Sequence, residues 1–338
     1  MATIKEVAQH AGVSVATVSR VVNNKGYVSD DLRQRVQDAM RLLDYKPSAV
    51  ARSLRRQESL TIGVLVPGMH QPFFATLAHV IQRTLFERNY RTLMCSSEED
   101  GDKETEYVDM LVRQRVDGAI IAPTGQESEA IKMISAKIPV VLVDRDLPHI
   151  EVNRILANNY QGGYDAIEHL INLGHRRIAI IGGPPYSDAM QQRTRGADQA
   201  MHDAGLAFDP ALVIMSDLIE FDMGFRSALH IFKNHTPIPT AIFALNDVVA
   251  VGIMHAAAEV GLRLPDDLSV IGFDDIPLAQ YMIPSLTTIA QPIYEMGERA
   301  AQLLLNRLAT GTATPYESIE LEMKLKKRAS TAPPSTSF

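Results

Sequence analysis

From residue 61 onward, short apolar runs alternate with amphipathic segments, and the alternation occurs twice. TIGVLVP (61–67), RTLMCSS (91–97), GAIIAP (118–123) and PVVLVDRD (139–146) form one set. RRIAIIGGP (176–184), ALVIMSD (211–217), TAIFALND (240–247) and LSVIGFDD (268–275) form another. Segments such as FFATLAHVIQRTLFERN and TEYVDMLVRQRVDG lie between and repeat their apolar residues every three to four positions. Strand, helix, strand, helix predicts a parallel sheet covered by helices. Two such sets predict two doubly wound α/β lobes facing each other across a cleft. Ligands in this architecture bind at the carboxyl ends of strands.

The first 45 residues obey a different period. Ile4, Val7 and Ala8 share one face of a predicted helix that Gly12 ends. Ser14 is placed to cap a second helix, VATVSRVVN, closed by Asn23, Asn24 and Gly26. Its valines favour a strand by propensity. Yet Val15, Val18, Val21 and Val22 recur at helical spacing, and the period overrides the propensity. Ser29 is placed to cap a third helix with Asp30 and Asp31 in its first turn, and Pro47 ends the unit. Helix, glycine turn, helix within about 20 residues is the helix-turn-helix pattern, an all-α head whose second helix enters a major groove. Ser14, Val15, Ala16, Thr17, Ser19 and Arg20 are the small or polar groups that this helix offers to bases and phosphates.

Charge agrees. Residues 1–57 hold ten Lys/Arg and five Asp/Glu, a net of +5, whereas the chain carries −7. A basic head on an acidic body points to a polyanionic partner, double-stranded DNA. A lone cysteine, Cys95, rules out an internal disulfide and fits a cytoplasmic chain. The opening MATIKEVAQH is not a signal peptide, and no apolar run is long enough to span a membrane. No GxGxxG follows a strand, no GxxxxGK[ST] is present, and the histidines show no HExxH spacing. The chain therefore reads as no enzyme, with no metal and no cofactor.

Polar and aromatic residues recur at the predicted strand ends. Phe73 and Phe74 follow the first strand, at a cleft mouth, and Asp144 and Arg145 follow the fourth. In the second lobe Arg193 opens a helix, Asn246 and Asp274 follow strands, and Gln291 lies where the chain crosses back. Rings to stack on, with side chains that fork hydrogen bonds to hydroxyls, suit a sugar.

The stretches TIKEVAQHAGVSVATVSRVVN, YKPSAVARSLR, QRVDGAI, LINLGHRRIAIIGGP, NDVVAVGI, LPDDLSVIGFDD and PSLTTIAQP resemble the LacI/GalR family of transcription regulators in order and spacing. The resemblance runs over nearly the whole chain, and the body is also similar to ribose-type periplasmic sugar-binding proteins. It implies a homodimeric repressor of sugar-catabolism genes on a pseudo-palindromic operator. A pentose, hexose or sugar acid in the cleft would release it. A purine-type or phosphosugar corepressor, or a solute-binding protein without a DNA role, is the alternative. The resemblance makes Val15, Ala16 and Arg20 the base readers, with Val15 facing outward, and adds Thr3 and Asn23 to the DNA contacts. PSAVARSL becomes a hinge with Leu54 wedged into the minor groove at a central CG step, flanked by Ala51 and Arg55. It assigns sugar contacts to Phe73, Phe74, Asp144, Arg145, Arg193, Asn246, Asp274 and Gln291, with both arginines donating to the ligand. Purine-binding members carry a Trp near the cleft, and this chain has none. The implied domains are 1–46 (head), 47–59 (hinge) and 60–330 (body). The first lobe takes about 60–159 plus 291–318, the second 160–290 plus 319–330, and 331–338 is a disordered tail. No leucine heptad follows KLKKRAS, so no tetramer seam is expected.

Overall fold

The computed structural model describes residues 2–23, 26–45, 58–125, 128–217, 219–311 and 315–335. The chain divides into two compact units, residues 1–60 and 61–338, each taken by itself below.

In the head, α1 (Ile4–Ala11) begins with a reciprocal cap. Thr3 Oγ1 accepts from Glu6 N at 3.3 Å, and Thr3 N donates to Glu6 Oε2 at 2.6 Å. Gly12 ends the helix at φ 63°, a left-handed conformation that favours glycine. Helix α2 (Val15–Asn23) is capped by Ser14, whose Oγ accepts from Thr17 N at 3.1 Å. Helix α3 (Asp30–Leu42) starts after Ser29, which makes no side-chain cap bond; Asp30 and Asp31 carry the first turn instead. Val7, Ala8, Val18, Val21, Val36 and Ala39 close the core between the three helices. Arg35 of α3 donates to the Ala11 carbonyl at 2.7 Å and so ties α3 to the turn between α1 and α2.

The body's first sheet is built from β1 (Thr61–Val66), β2 (Arg91–Ser96), β3 (Gly118–Ile121), β4 (Val140–Val143), β5 (Asn153–Ala157) and β11 (Ser318–Leu321). Its order is β2-β1-β3-β4-β5-β11, parallel throughout. The second sheet holds β6 (Ile178–Gly182), β7 (Val213–Met215), β8 (Ala241–Ala244), β9 (Ser269–Asp274), β10 (Thr287–Ala290) and β12 (Lys324–Lys326). Its order, β7-β6-β8-β9-β10-β12, repeats the first, except that β12 is antiparallel to β10. In each sheet the order reverses between the first and third strands, which opens a crevice at their carboxyl ends.

Helices α4 (Pro72–Glu87) and α11 (Ile293–Thr310) cover the first sheet through Phe74, Leu77, Ile81, Met296, Ala300 and Leu304. On the same lobe lie α5 (Gly101–Arg113) and α6 (Glu129–Ser135), which supply Val108, Leu111, Ile131 and Ile134 to the other face. The second lobe carries α7 (Asn159–Asn172), α8 (Asp188–Asp203), α9 (Phe221–Asn234) and α10 (Asp247–Glu259). Helices α7 and α8 meet at Gly163 and Gly196. A Cβ on Gly196 would lie 1.9 Å from the Tyr160 carbonyl oxygen, and one on Gly163 would lie 2.1 Å from that of Arg193. Arg193 is thereby pressed against the lobe's framework.

Two expected boundaries are corrected. The third crossing between lobes falls after β11, because Ser318–Leu321 pairs with Arg154–Ala157 in the first sheet; the first lobe reaches 321, not 318. The tail is ordered through Ser335 rather than disordered from 331. The Ala332 carbonyl accepts from Ser269 Oγ at 3.0 Å, Thr331 Oγ1 lies 3.0 Å from His169 Nε2, and His175 Nε2 lies 2.9 Å from the Ala332 carbonyl. Among the described residues no helix is long and apolar enough to cross a membrane.

Candidate functional site

On α2, Ala16 and Arg20 are exposed, as are Thr3 and Ser14 beside it, and Thr17 and Ser19 are half-buried. Ser14 Oγ lies 2.9 Å from Thr17 Oγ1, so the cap fixes the two hydroxyls relative to each other. Val15, expected to face outward, is partly exposed. It is half-buried and packs on the head's core beside Val18, as its helical spacing dictates. Asn23 closes α2. The hinge residues Ala51, Leu54 and Arg55 lie outside the described residues.

All eight residues singled out at strand ends line one small cavity of about 30 Å³ between the lobes, joined there by Gln71, Ala189, Met190 and Ile219. Each arrives by its own element. Phe73 and Phe74 sit in the first turn of α4 with their rings edge-on, 5.0 Å apart at 78°. They are 5% and 3% exposed, so they form the inner wall rather than a mouth. Asp144 and Arg145 follow β4, Asn246 caps α10 by accepting from Val249 N at 2.8 Å, and Asp274 ends β9. Asp144 and Asp274 both take positive φ, 69° and 110°, outside the usual range for a residue with a side chain.

The arginines are committed within the protein. Arg193 Nε donates to Asn159 Oδ1 at 2.8 Å, and Nη1 donates to the Leu245 carbonyl and lies 3.6 Å from Asp274 Oδ1. Its guanidinium carbon sits 3.6 Å above the Phe273 ring centroid. Arg145 forks onto Glu99, with both contacts at 2.7 Å, and reaches the Thr124 carbonyl at 3.0 Å. The fork of Arg145 and the Nε and Nη1 of Arg193 already have partners within the protein, so any donation to a ligand falls to the remaining N–H groups, Arg145 Nε among them. Three buried atoms around the cavity have no hydrogen-bond partner: Asp144 Oδ1, Gln291 Oε1 and Arg145 Nε, the last 3.7 Å from Asp144 Oδ2. A donor and two acceptors without hydrogen-bond partners in the protein, gathered at one place, suit a ligand rich in hydroxyls.

Electrostatics sharpen the site. Burial pushes the Asp274 carboxyl up to about 6, against the pull of Arg193 and of Gln291, whose Nε2 donates to Asp274 Oδ1 at 2.8 Å. Burial also raises Asp144. Asp247, next to Asn246, is fully buried and is held well above the carboxylate range by desolvation and by Asp274 nearby. It accepts from Ile276 N at 2.9 Å and from Thr288 Oγ1 at 2.7 Å, which fixes the turn that presents Asp274. Asp247 ends the run TAIFALND and Glu99 follows RTLMCSS, and neither carries a sequence signal that marks it as a site residue. Among the described residues no cluster of side chains could hold a metal ion.

A helix-turn-helix head followed by two lobes closed on a polar cavity defines a DNA-binding protein that answers to a small molecule. Residues 3–48 match bacterial regulatory proteins of the lacI family, and residues 167–331 match the periplasmic binding protein-like domain. The HTH-type transcriptional regulator DegA of Bacillus subtilis (strain 168) is 38% identical over 99% of both chains. The HTH-type transcriptional repressor PurR of Aliivibrio fischeri (strain MJ11) is 37% identical over 91% of this chain and 92% of its own. Among solved structures, the lac repressor dimer bound to operator and the anti-inducer ONPF superposes with a TM-score of 0.86 at 30% identity, covering 98% of this chain and 99% of that one. A LacI family transcriptional regulator from Enterococcus faecium with bound ribose gives 0.73 at 33% identity, over 81% and 99%.

The chain belongs to the lacI family of bacterial regulatory proteins. It is a DNA-binding transcriptional repressor of the kind that small-molecule effectors control, and its relatives are regulators rather than enzymes.

Proposed function

We propose that the effector is a neutral sugar, and that its binding releases a homodimer of this chain from a pseudo-palindromic operator with a central CG step. The observation that carries the sugar reading is the set of three buried polar atoms without hydrogen-bond partners around the cavity that Phe73 and Phe74 also line. Both arginines already face carboxylates, so an anionic ligand would meet Asp144 and Asp274 without an uncommitted guanidinium fork. The ribose-bound relative supports the same class.

The cavity has room for about two waters at ~10–15 Å³ each, far less than a sugar ring needs. Entry of a sugar therefore requires the lobes to part, and occupancy becomes coupled to the angle between them. Through the dimer, that angle sets the hinge carrying Ala51, Leu54 and Arg55, and so the grip of Ala16 and Arg20 on the operator. A coupling of about 1–3 kcal/mol suffices for such a switch.

Calorimetric titration with ribose, glucose, cellobiose, hypoxanthine and guanine tests the reading. One sugar should bind, and Asp274→Ala should lose it. Tight binding of a purine instead, or sugar binding that survives the substitution, would refute it.

A further inference from the structure

Behind the cavity, one buried ion pair decides what charge the ligand can carry. Glu99 lies in the turn after β2, where Glu98 and Glu99 both take positive φ, 54° and 59°. The turn is held by Glu99 N, which donates to the Pro67 carbonyl at 3.1 Å. Side-chain exposure is 11% for Glu99 and 2% for Arg145, so the pair is shielded from solvent. Both carboxylate oxygens meet the guanidinium fork, and Arg145 Nη1 also donates to the Thr124 carbonyl. What remains is Nε, which has no hydrogen-bond partner and lies 3.7 Å from Asp144 Oδ2 at the cavity.

Around the cavity the charges are then Asp144 and Asp274 against Arg145 and Arg193, with Glu99 and the buried Glu104 behind Arg145. With its fork filled, Arg145 offers a single directional hydrogen bond and no net charge. We propose that Glu99 is the specificity-determining positioning residue of the cleft. It neutralises Arg145 from behind, so that the site takes neutral polyhydroxylated ligands and refuses sugar acids. The proposal rests on the reading of this cleft as the effector site. Bidentate arginine–carboxylate pairing is strong and geometrically selective, so a ligand carboxylate cannot compete with a preformed partner on the same guanidinium. Deleting the Glu99 charge frees the guanidinium fork of Arg145 for a ligand carboxylate, while Asp144 Oδ2 stays 3.7 Å from Nε, and the field there is little screened.

Glu99→Gln and Glu99→Ser test this with glucose and ribose set against D-glucuronate and D-gluconate, by calorimetry and ligand-induced thermal shift. The smaller serine lets water reach the guanidinium if the amide variant does not fold. Either variant should bind one of the acids at least ~10-fold more tightly than the unaltered protein does, with neutral sugars weakened. Glu99→Gln/Arg145→Gln, a neutral pair of similar size, should lose that gain. Absence of the gain in the single variants, or its persistence in the double variant, would overturn the assignment. Acid binding gained while the unaltered protein binds no neutral sugar would uphold Glu99 and refute the sugar reading. Neutral-sugar binding without any gain of acids would do the reverse.

Discussion

Asp274 shows how single residues carry the site. Its carboxyl is pushed up to about 6 by burial, above the unfolded value near ~3.9. The folded protein therefore holds an extra proton between about pH 4 and 6. The destabilisation by Asp274 is complete above about pH 6 and is relieved as pH falls through that window. Thermal unfolding without ligand should show Asp274→Asn more stable at pH 7.5 by about 1–3 kcal/mol, with the gain fading near pH 4. Effector affinity should move the opposite way, falling as Asp274 protonates below about pH 6, because a neutral carboxyl is a poorer acceptor for hydroxyls. Most of this site was legible beforehand: aromatic, Asp, Asn, Arg and Gln residues recur at strand ends, and the fold gathers strand ends. The partners of the arginines were not legible. Glu99 and Asn159 carry no motif, and only the closed cleft shows that they occupy Arg145 and Arg193.

Among the elements, eight strands of the two sheets read clearly from their apolar runs, and six of them, β1, β3, β4, β6, β8 and β9, are buried almost throughout. Four others were missed for physical reasons. β5 alternates buried and half-buried positions, β11 and β12 are short edge strands with exposed charges, and β10 is the polar TTIA. Sidedness within α2 was legible by period alone. The valine spacing puts Val15 against the core, where it is half-buried. The tail was misread because Pro, Ser and Thr suggest disorder, whereas its hydroxyl and carbonyl groups bond to His169, His175 and Ser269. His175 bridges Thr240, Ser269 and Ala332 from a buried position. His175→Ala should cost about 2–3 kcal/mol and speed amide exchange at Ala332, whose N–H donates to Ser269 Oγ. Burial lowers His169 to about 4, with Lys327 and His175 adding to the shift. The stability it supports is present above the unfolded value near ~6.5 and is lost as pH falls toward 4, so acid should loosen the same tail. Exchange at Ala332 measured across that range checks the sign. Gly196→Ala forces a methyl onto the Tyr160 carbonyl and should cost about 3 kcal/mol or more in thermal unfolding, unlike Gly205→Ala in open space, where only backbone strain at φ 69° opposes the change.

For the molecule as a whole, the proposed dimer needs an apolar face. Leu278, Tyr281 and Ile283 are 47%, 74% and 97% exposed on one loop of the second lobe. Exposed side chains of this size, gathered together, mark contact surfaces. Ile283→Asp should shift sedimentation toward monomer and weaken operator binding, while sugar binding within one chain persists. Leu54→Ala should reduce specific binding to weak, salt-sensitive attachment. The central claim joins two ends of one chain: occupancy of the cleft sets affinity for DNA. It is tested most directly by fluorescence anisotropy of a pseudo-palindromic duplex selected from random sequence. The duplex is titrated with protein, with and without the sugar that binds in calorimetry. The expected result is a 5- to 150-fold loss of DNA affinity with sugar, corresponding to about 1–3 kcal/mol of coupling. Asp274→Ala should bind the duplex normally and ignore the sugar. DNA affinity unchanged by saturating sugar, or an unimpaired response in Asp274→Ala, would contradict it.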